Sequence, residues 1–377
     1  MRPVRFVHEV DINPKVLAAL RKAKLRLLKD VLQMSVSDME RLTKLPTAEI
    51  HYLHKTVAAA ICLFPPVTAL QMSLGDCPFP TQTQRVSLGC PVLNSWLKGG
   101  LPTLGVIEIA GESASGKTQI CLQLSLSVQY PPAYGGLGAG VVYVCTEDVF
   151  PARRLHQLIS LQPQVRVDVP SDVITTIPFG NQVYVEHVAD VDSLWRCITH
   201  RLPLLIARLS VRLVVIDSVA ALFRCEFSCS MAVRKAKLLQ HFGNLLHQIS
   251  HKHHSPIVCV NQVTSRMDDI GDRPTSICLT SQRIIPSLGT AWSNMLLMRL
   301  LACRKEVKTI LDTEHNPQCA VEHSNCTFTP QTQRTLEVLF APHLPHSLCH
   351  YVITAEGVYG VRENDNTNIA RVESHKE

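Results

Sequence analysis

The sequence predicts an α/β protein, with a mostly parallel sheet covered by helices on both faces and a small helical bundle ahead of it. Two observations carry this. The runs GVIEIAG (105–111), GVVYVCTED (140–148), VRLVVIDS (211–218) and PIVCVNQV (256–263) are nearly continuous in apolar residues and are separated by stretches of helical length. Strands buried on both faces and joined by helical crossovers have this pattern. The N-terminal segment, by contrast, repeats apolar residues every three or four positions, as short amphipathic helices do.

The bundle is expected over residues 1–63. Pro14 suits a first helical turn ahead of Val16, Leu17 and Leu20, and a second apolar set follows at Leu27, Leu28, Val31 and Leu32. Ser35 and Ser37 offer caps before Met39 and Leu42, and Pro46 interrupts before Ile50, Leu53 and Val57. Pro65, Pro66, Pro78 and Pro80 then fall in a stretch without periodicity, so an interdomain linker is expected at 64–84. The core follows at 85–360, and a polar, disordered tail is expected at 361–377.

With 377 residues, 46 % of them hydrophobic, the chain can bury a large core and fill roughly two domains. No stretch approaches the ~18 apolar residues of a membrane span, so a soluble, unsecreted protein without a membrane partner is expected. Several of the 14 cysteines, such as Cys121, Cys145 and Cys259, sit inside apolar runs, where a free thiol packs as a small hydrophobe. His315, Cys319, His323 and Cys326 match no familiar zinc spacing and read as part of a surface excursion spanning 304–334.

The net charge of +6 is uneven. Residues 1–60 hold eleven Lys and Arg against six Asp and Glu. A basic small module suggests an acidic partner, nucleic acid first, although RKAKLRLLK at 21–29 also fits the solvated face of a helix.

The chemistry is concentrated in GESASGKT, residues 111–118. Gly111, four residues (Glu112, Ser113, Ala114 and Ser115), then Gly116, Lys117 and Thr118 form the G-x-x-x-x-G-K-[ST] phosphate loop. Its glycines let backbone N–H groups turn toward phosphate oxygens, Lys117 reaches the outer phosphates, and the Thr118 hydroxyl can take a Mg²⁺ position. A helix is expected next, although Ile120, Leu122, Leu124, Leu126 and Val128 also alternate as in a strand. Asp217 ends an apolar strand, where its carboxylate can hold Mg²⁺ beside Thr118. Glu147 ends another, placed to orient and deprotonate a water attacking a γ-phosphate, with Asp148 as its competitor. Gln262 ends a third, where an amide can sense that phosphate.

With these residues, SLGCPVLNSWLKGGLPTLGVIEIAGESASGKTQICLQL, TEDVFPARRL, LVVIDSVAALFR, VNQVTSRM and PSLGTAWSNMLLMRL resemble the ATPase core of the RecA-type eukaryotic recombinases. The N-terminal module and linker are similar too, and the likeness is to the paralogues of that family. It implies a RecA-like P-loop ATPase core using ATP and Mg²⁺, with Arg154 near the nucleotide base. Two DNA-facing loops are implied. The first, 224–237, carries Arg224, Arg234, Lys235 and Lys237 against Glu226; the second, 264–287, carries Arg266, Arg273 and Arg283 against three aspartates and has no aromatic residue. Weak intrinsic grip on single-stranded or branched DNA is therefore expected.

Active relatives polymerise through a linker Phe and Ala; here Ala69 is present, but Pro66 stands where the Phe would lie. The resemblance thus implies a heterodimer with another paralogue that assists a recombinase filament, Holliday-junction or fork processing in double-strand break repair. An autonomous strand-exchange ATPase and an ATP-binding module without turnover are the alternatives. A nuclear location with a cytoplasmic pool is implied.

Overall fold

The computed structural model describes residues 6–62, 66–76, 84–227, 229–265, 284–310 and 328–362, and the chain divides into two compact units, Met1–Thr83 and Gln84–Glu377. The first unit holds α1 (Pro14–Lys22), α2 (Leu28–Gln33), α3 (Val36–Thr43), α4 (Thr47–Ile61) and α5 (Ala69–Leu74). Local chemistry sets their starts. Asn13 accepts from Lys15 N with Pro14 in the first turn, Ser35 accepts from Asp38 N, and Thr68 forms a capping box with Gln71. Val16, Leu20, Leu28, Val31, Met39, Ile50, Leu53 and Val57 form the core of this unit. The basic run at 21–29 does not lie on one helix. Lys24, with φ +61°, turns the chain between α1 and α2, so its charges are split between two helices and the hairpin joining them.

In the second unit a two-strand ribbon, β1 (Arg85–Val86) with β2 (Leu101–Pro102), flanks α6 (Pro91–Trp96). The α/β core then runs through β3 (Val106–Gly111), α7 (Lys117–Ser127), β4 (Gly140–Cys145), α8 (Ala152–Ser160), α9 (Gln162–Val165), α10 (Ser171–Thr176), β5 (Val183–His187), α11 (Val191–Arg196) and α12 (Leu202–Arg208). It continues with β6 (Val211–Asp217), α13 (Val219–Cys225), α14 (Ala232–His253), β7 (Ile257–Ser265), β8 (Ile284–Pro286) and α15 (Gly289–Ser293). Four antiparallel-paired strands close the unit: β9 (Met298–Ile310), β10 (Phe328–Phe340), β11 (Ser347–Ile353) and β12 (Val358–Val361).

One sheet joins ten of the described strands in the order β12-β11-β10-β9-β3-β7-β6-β4-β5, with β8 on β7. From β9 to β5 the pairing is parallel; from β9 to β12 it is antiparallel. Separate apolar clusters line the sheet, one including Ile107, Leu124 and Tyr143, the other Val142, Phe242 and Trp292. This is the expected α/β core, a RecA-like fold with helices around a mostly parallel sheet.

One expectation is borne out and two change in detail. The segment after the phosphate loop is helical, and its period-two pattern arises because α7 is buried all round: Ile120, Cys121, Leu122, Leu124, Ser125, Leu126 and Ser127 are all enclosed. The surface excursion at 304–334 gives way at both ends to sheet, since 304–310 belongs to β9 and 328–334 to β10, paired in register. The loop expected at 224–237 shrinks to 226–231, because α13 runs through Cys225 and α14 starts at Ala232. His315, Cys319, His323 and Cys326 lie outside the described residues, as do Arg266, Arg273, Arg283 and the tail from 363. Among the described residues no helix is long and apolar enough to cross a membrane.

A buried ionic network fixes the middle of the sheet. Glu108 on β3 is fully enclosed and receives Asn261 Nδ2 at 2.7 Å, Trp292 Nε1 at 2.6 Å and the Arg299 guanidinium. A carboxylate without water is tolerable only when paired and hydrogen-bonded in this way. Glu108→Ala would leave Arg299 buried and unpaired, and the urea-unfolding midpoint should fall by the equivalent of about 3–5 kcal/mol. An unchanged midpoint would show that the network contributes no stability.

Candidate nucleotide site

The cleft lies at the C-terminal ends of β3, β4, β6 and β7, where ligands of open α/β sheets bind. Register brings its parts level: Gly111 pairs with Gln262 across β3 and β7, and Cys145 with Asp217 across β4 and β6. The space is about 580 Å³, lined by 111–114, 116–119, Glu147, Asp217, Ser218, Arg224 and Gln262, with Val260, Val263 and Ile353 as its apolar part.

The loop from Gly111 to Thr118 is a cradle by construction. A Cβ on Gly111 would strike the Ala302 carbonyl, and one on Gly116, at φ +101°, would strike the Ile353 side chain. Ala114 also sits at φ +57°, in the left-handed region. Ser115 is buried; its hydroxyl donates to Glu112 O at 2.8 Å and its carbonyl accepts from the Tyr351 hydroxyl. The loop thus curls over the start of α7, whose N-terminal N–H groups and dipole favour an anion. Lys117 Nζ donates to Glu112 O at 2.6 Å. Burial lowers the Lys117 pKa, opposed by the negative charges of Asp217, Glu147 and Glu112.

Thr118 Oγ1 donates to Asp217 Oδ2 at 2.8 Å, and the Tyr143 hydroxyl donates to the same oxygen at 2.7 Å. Burial raises the Asp217 pKa despite both hydrogen bonds. A hydroxyl and a carboxylate side by side next to a phosphate cradle are a hard-oxygen donor set that fits Mg²⁺, and a loop built around Lys117 fits a polyphosphate. The residues present therefore suit Mg-ATP.

Glu147 Oε1 receives both the Ser218 hydroxyl and Gln262 Nε2, the latter at 2.9 Å. Gln262 Oε1 in turn accepts from Arg224 Nη1 at 2.5 Å. Asp148 does not line the cleft, so the arrangement favours Glu147 over its competitor. Arg224, expected in a DNA loop, stands in the cleft at the end of α13. Arg154, expected beside a base, does not line it. Its guanidinium donates to Gln119 Oε1, Gln157 Oε1, Thr354 O and Ala355 O at 2.6–2.8 Å, so it is spent on holding the β11–β12 turn. Arg234 and Lys237 are exposed in the first turns of α14, with Lys235 half-buried beside them, and none of the three lines the cleft.

Sequence reading missed Tyr143, Ser218 and Ile353. Ser218 had a usable signal, because a serine directly after a strand and before an apolar run is an N-cap pattern, and here it caps α13. Tyr143 and Ile353 had none, since each looks like one more apolar strand position.

Two family models match the chain: Rad51 over residues 81–286, and the XRCC3/RpoA-like helix-hairpin-helix domain over residues 7–61. The DNA repair protein XRCC3 of Bos taurus is 47 % identical over 352 residues, covering 93 % of this chain and 97 % of the relative. That of Mus musculus is 42 % identical over 353 residues, covering 94 % and 97 %. The DNA repair protein rhp57 of Schizosaccharomyces pombe is 27 % identical over 361 residues, covering 88 % and 92 %.

The raised Asp217 pKa has a consequence for stability. A group raised on folding binds more protons folded than unfolded, so stability is lost as pH rises through the raised value. At neutral pH the ionised carboxylate therefore costs the fold free energy. Asp217→Asn should raise the melting temperature of the protein without nucleotide. It should also abolish the stabilisation by Mg-ATP, which for an intact site reaches about 2.7 kcal/mol at a hundredfold excess over Kd. Calorimetry at neutral pH tests both; a lower melting temperature without nucleotide would overturn the assignment of Asp217 as a charge held at the fold's expense.

Proposed function

Because the chain belongs to the Rad51 family, whose relatives here are DNA repair proteins, we propose that it is an ATP-dependent accessory factor of homologous recombination. In this reading it binds single-stranded or branched DNA together with a partner paralogue and assists a recombinase filament in double-strand break repair. The observation that carries it is the meeting of Lys117, the Thr118–Asp217 pair and the Glu147–Gln262 pair in one cleft. Backbone N–H groups of 111–116 and Lys117 would hold the phosphates, Thr118 and Asp217 would hold Mg²⁺, and Gln262 would read the γ-phosphate. Bound Mg²⁺ would neutralise charge developing on the phosphates. Glu147 is the base that would orient water and take its proton. Two donors, the Ser218 hydroxyl and the Gln262 amide, already engage Glu147 Oε1 and fix its orientation.

Other features support the partner and the DNA. Helix α5 buries none of its residues, and Leu70 and Leu74 are 67 % and 73 % exposed, as expected of a linker completed by a neighbour. Arg234, Lys235 and Lys237 gather at the start of α14, where the helix dipole disfavours cations. The exposed Arg234 and Lys237 are placed to meet an external polyanion such as DNA. A nuclear site of action follows from that role.

The test is steady-state ATP hydrolysis by the chain alone, with single-stranded DNA, and with a co-purified partner paralogue. Turnover should appear or rise with the partner. Lys117→Ala should abolish nucleotide binding, whereas Glu147→Gln should retain binding and lower turnover by about 10²–10⁴-fold. Robust DNA-stimulated turnover without a partner would make the chain an autonomous recombinase, and unaltered turnover in Glu147→Gln would remove Glu147 from the chemistry.

A further inference from the structure

Arg224 stands out as the residue whose position disagrees most with its sequence context. It opens a run of basic residues that reads as a DNA loop, yet its guanidinium lines the nucleotide cleft and donates to Gln262 Oε1 at 2.5 Å. Among the described residues lining the cleft, the cationic side chains are Lys117 and Arg224, against the carboxylates of Glu112, Glu147 and Asp217. An incoming polyphosphate therefore meets two cations, one at the start of α7 and one in the last turn of α13.

These contacts form a chain. Arg224 donates to the amide oxygen of Gln262, the amide nitrogen of Gln262 donates to Glu147 Oε1, and the Ser218 hydroxyl donates to that same oxygen. Ser218 caps the start of α13 and Arg224 lies in its last turn. One short helix is thus tied to the Glu147 carboxylate directly at its start and, through the Gln262 amide, at its last turn.

We propose that Arg224 is the residue by which this cleft distinguishes a nucleoside triphosphate from a diphosphate. The inference rests on the nucleotide-binding reading given above and deepens it. A neutral amide oxygen is a weaker acceptor for a guanidinium than an anionic phosphate oxygen, and five N–H donors in a planar fork match phosphate geometry. A γ-phosphate in the cleft competes for Arg224 and wins it from Gln262. Gln262 then changes partners, and the grip of its amide on Glu147 loosens. A diphosphate presents no γ-oxygens, so the chain from Arg224 to Glu147 stays closed. Arg224 is in this way a ligand of the triphosphate and, through Gln262, a positioning residue for Glu147.

The experiment measures affinity for two probes, Mg²⁺ with the thiophosphate analogue of ATP and Mg²⁺ with ADP, by calorimetric titration of the full chain. It compares the unmodified chain, Arg224→Gln, Arg224→Lys and Lys117→Ala. Removing a charged hydrogen bond should lower triphosphate affinity by about 10-fold or more in Arg224→Gln, with ADP affinity unchanged. Arg224→Lys, which keeps the charge and loses the fork, should fall between. Lys117→Ala should lose both probes. An unchanged ratio of the two affinities in Arg224→Gln overturns the inference, as does an equal loss of both probes, which would mark a structural role. If the unmodified chain binds neither probe, the nucleotide-binding reading itself fails, and the inference with it.

Discussion

One carboxylate oxygen organises the cleft. Asp217 Oδ2 accepts from Thr118 on the helix after the phosphate loop and from Tyr143 inside the neighbouring strand. The two hydroxyls come from elements that share no local sequence, and they meet only because β4 and β6 run parallel with Cys145 beside Asp217. Burial opposes the charge on Asp217, so the fold must hold it with these donors. Once that oxygen is fixed, the start of α7, the end of β6 and the cap of α13 have little freedom left.

A second fixed point lies deeper. Glu108, Asn261, Trp292 and Arg299 join β3, β7, α15 and β9, and Asn261 also accepts the Ser287 hydroxyl at 2.9 Å. Ser287 N donates to the backbone carbonyl of Gln262. The strand that presents Gln262 to the cleft is therefore tied to the residue that closes the segment following it. A shift of Gln262 along β7 would strain this buried network, which directs any response to nucleotide into side-chain partner exchange.

Much of this was legible because its signals are local. The phosphate loop announces itself by residue types that a tight anion cradle requires, and Asp217 ends its apolar strand as expected, whereas Glu147 falls two residues past β4 and Gln262 lies inside β7, which runs on to Ser265. The rest failed for physical reasons. Arg224 was assigned by the charges that follow it, whereas α13 turns its guanidinium back toward Gln262. Strand β9 passes from an apolar half, Leu300 to Cys303, to a charged one, Arg304 to Glu306, so its outer half looks like surface chain.

The last strands give the molecule a property in which position along the chain misleads. Tyr351 supports the Ser115 carbonyl, and Ile353 occupies the space a side chain at Gly116 would need. Gln123 of α7 exchanges hydrogen bonds with Val358 at 2.6 and 3.0 Å, and Arg154 clasps Thr354 and Ala355. The phosphate loop is thus propped from a hairpin more than two hundred residues downstream. A chain cut short ahead of β11 would keep every residue of the phosphate-loop motif and yet lose the contacts that hold that loop in shape.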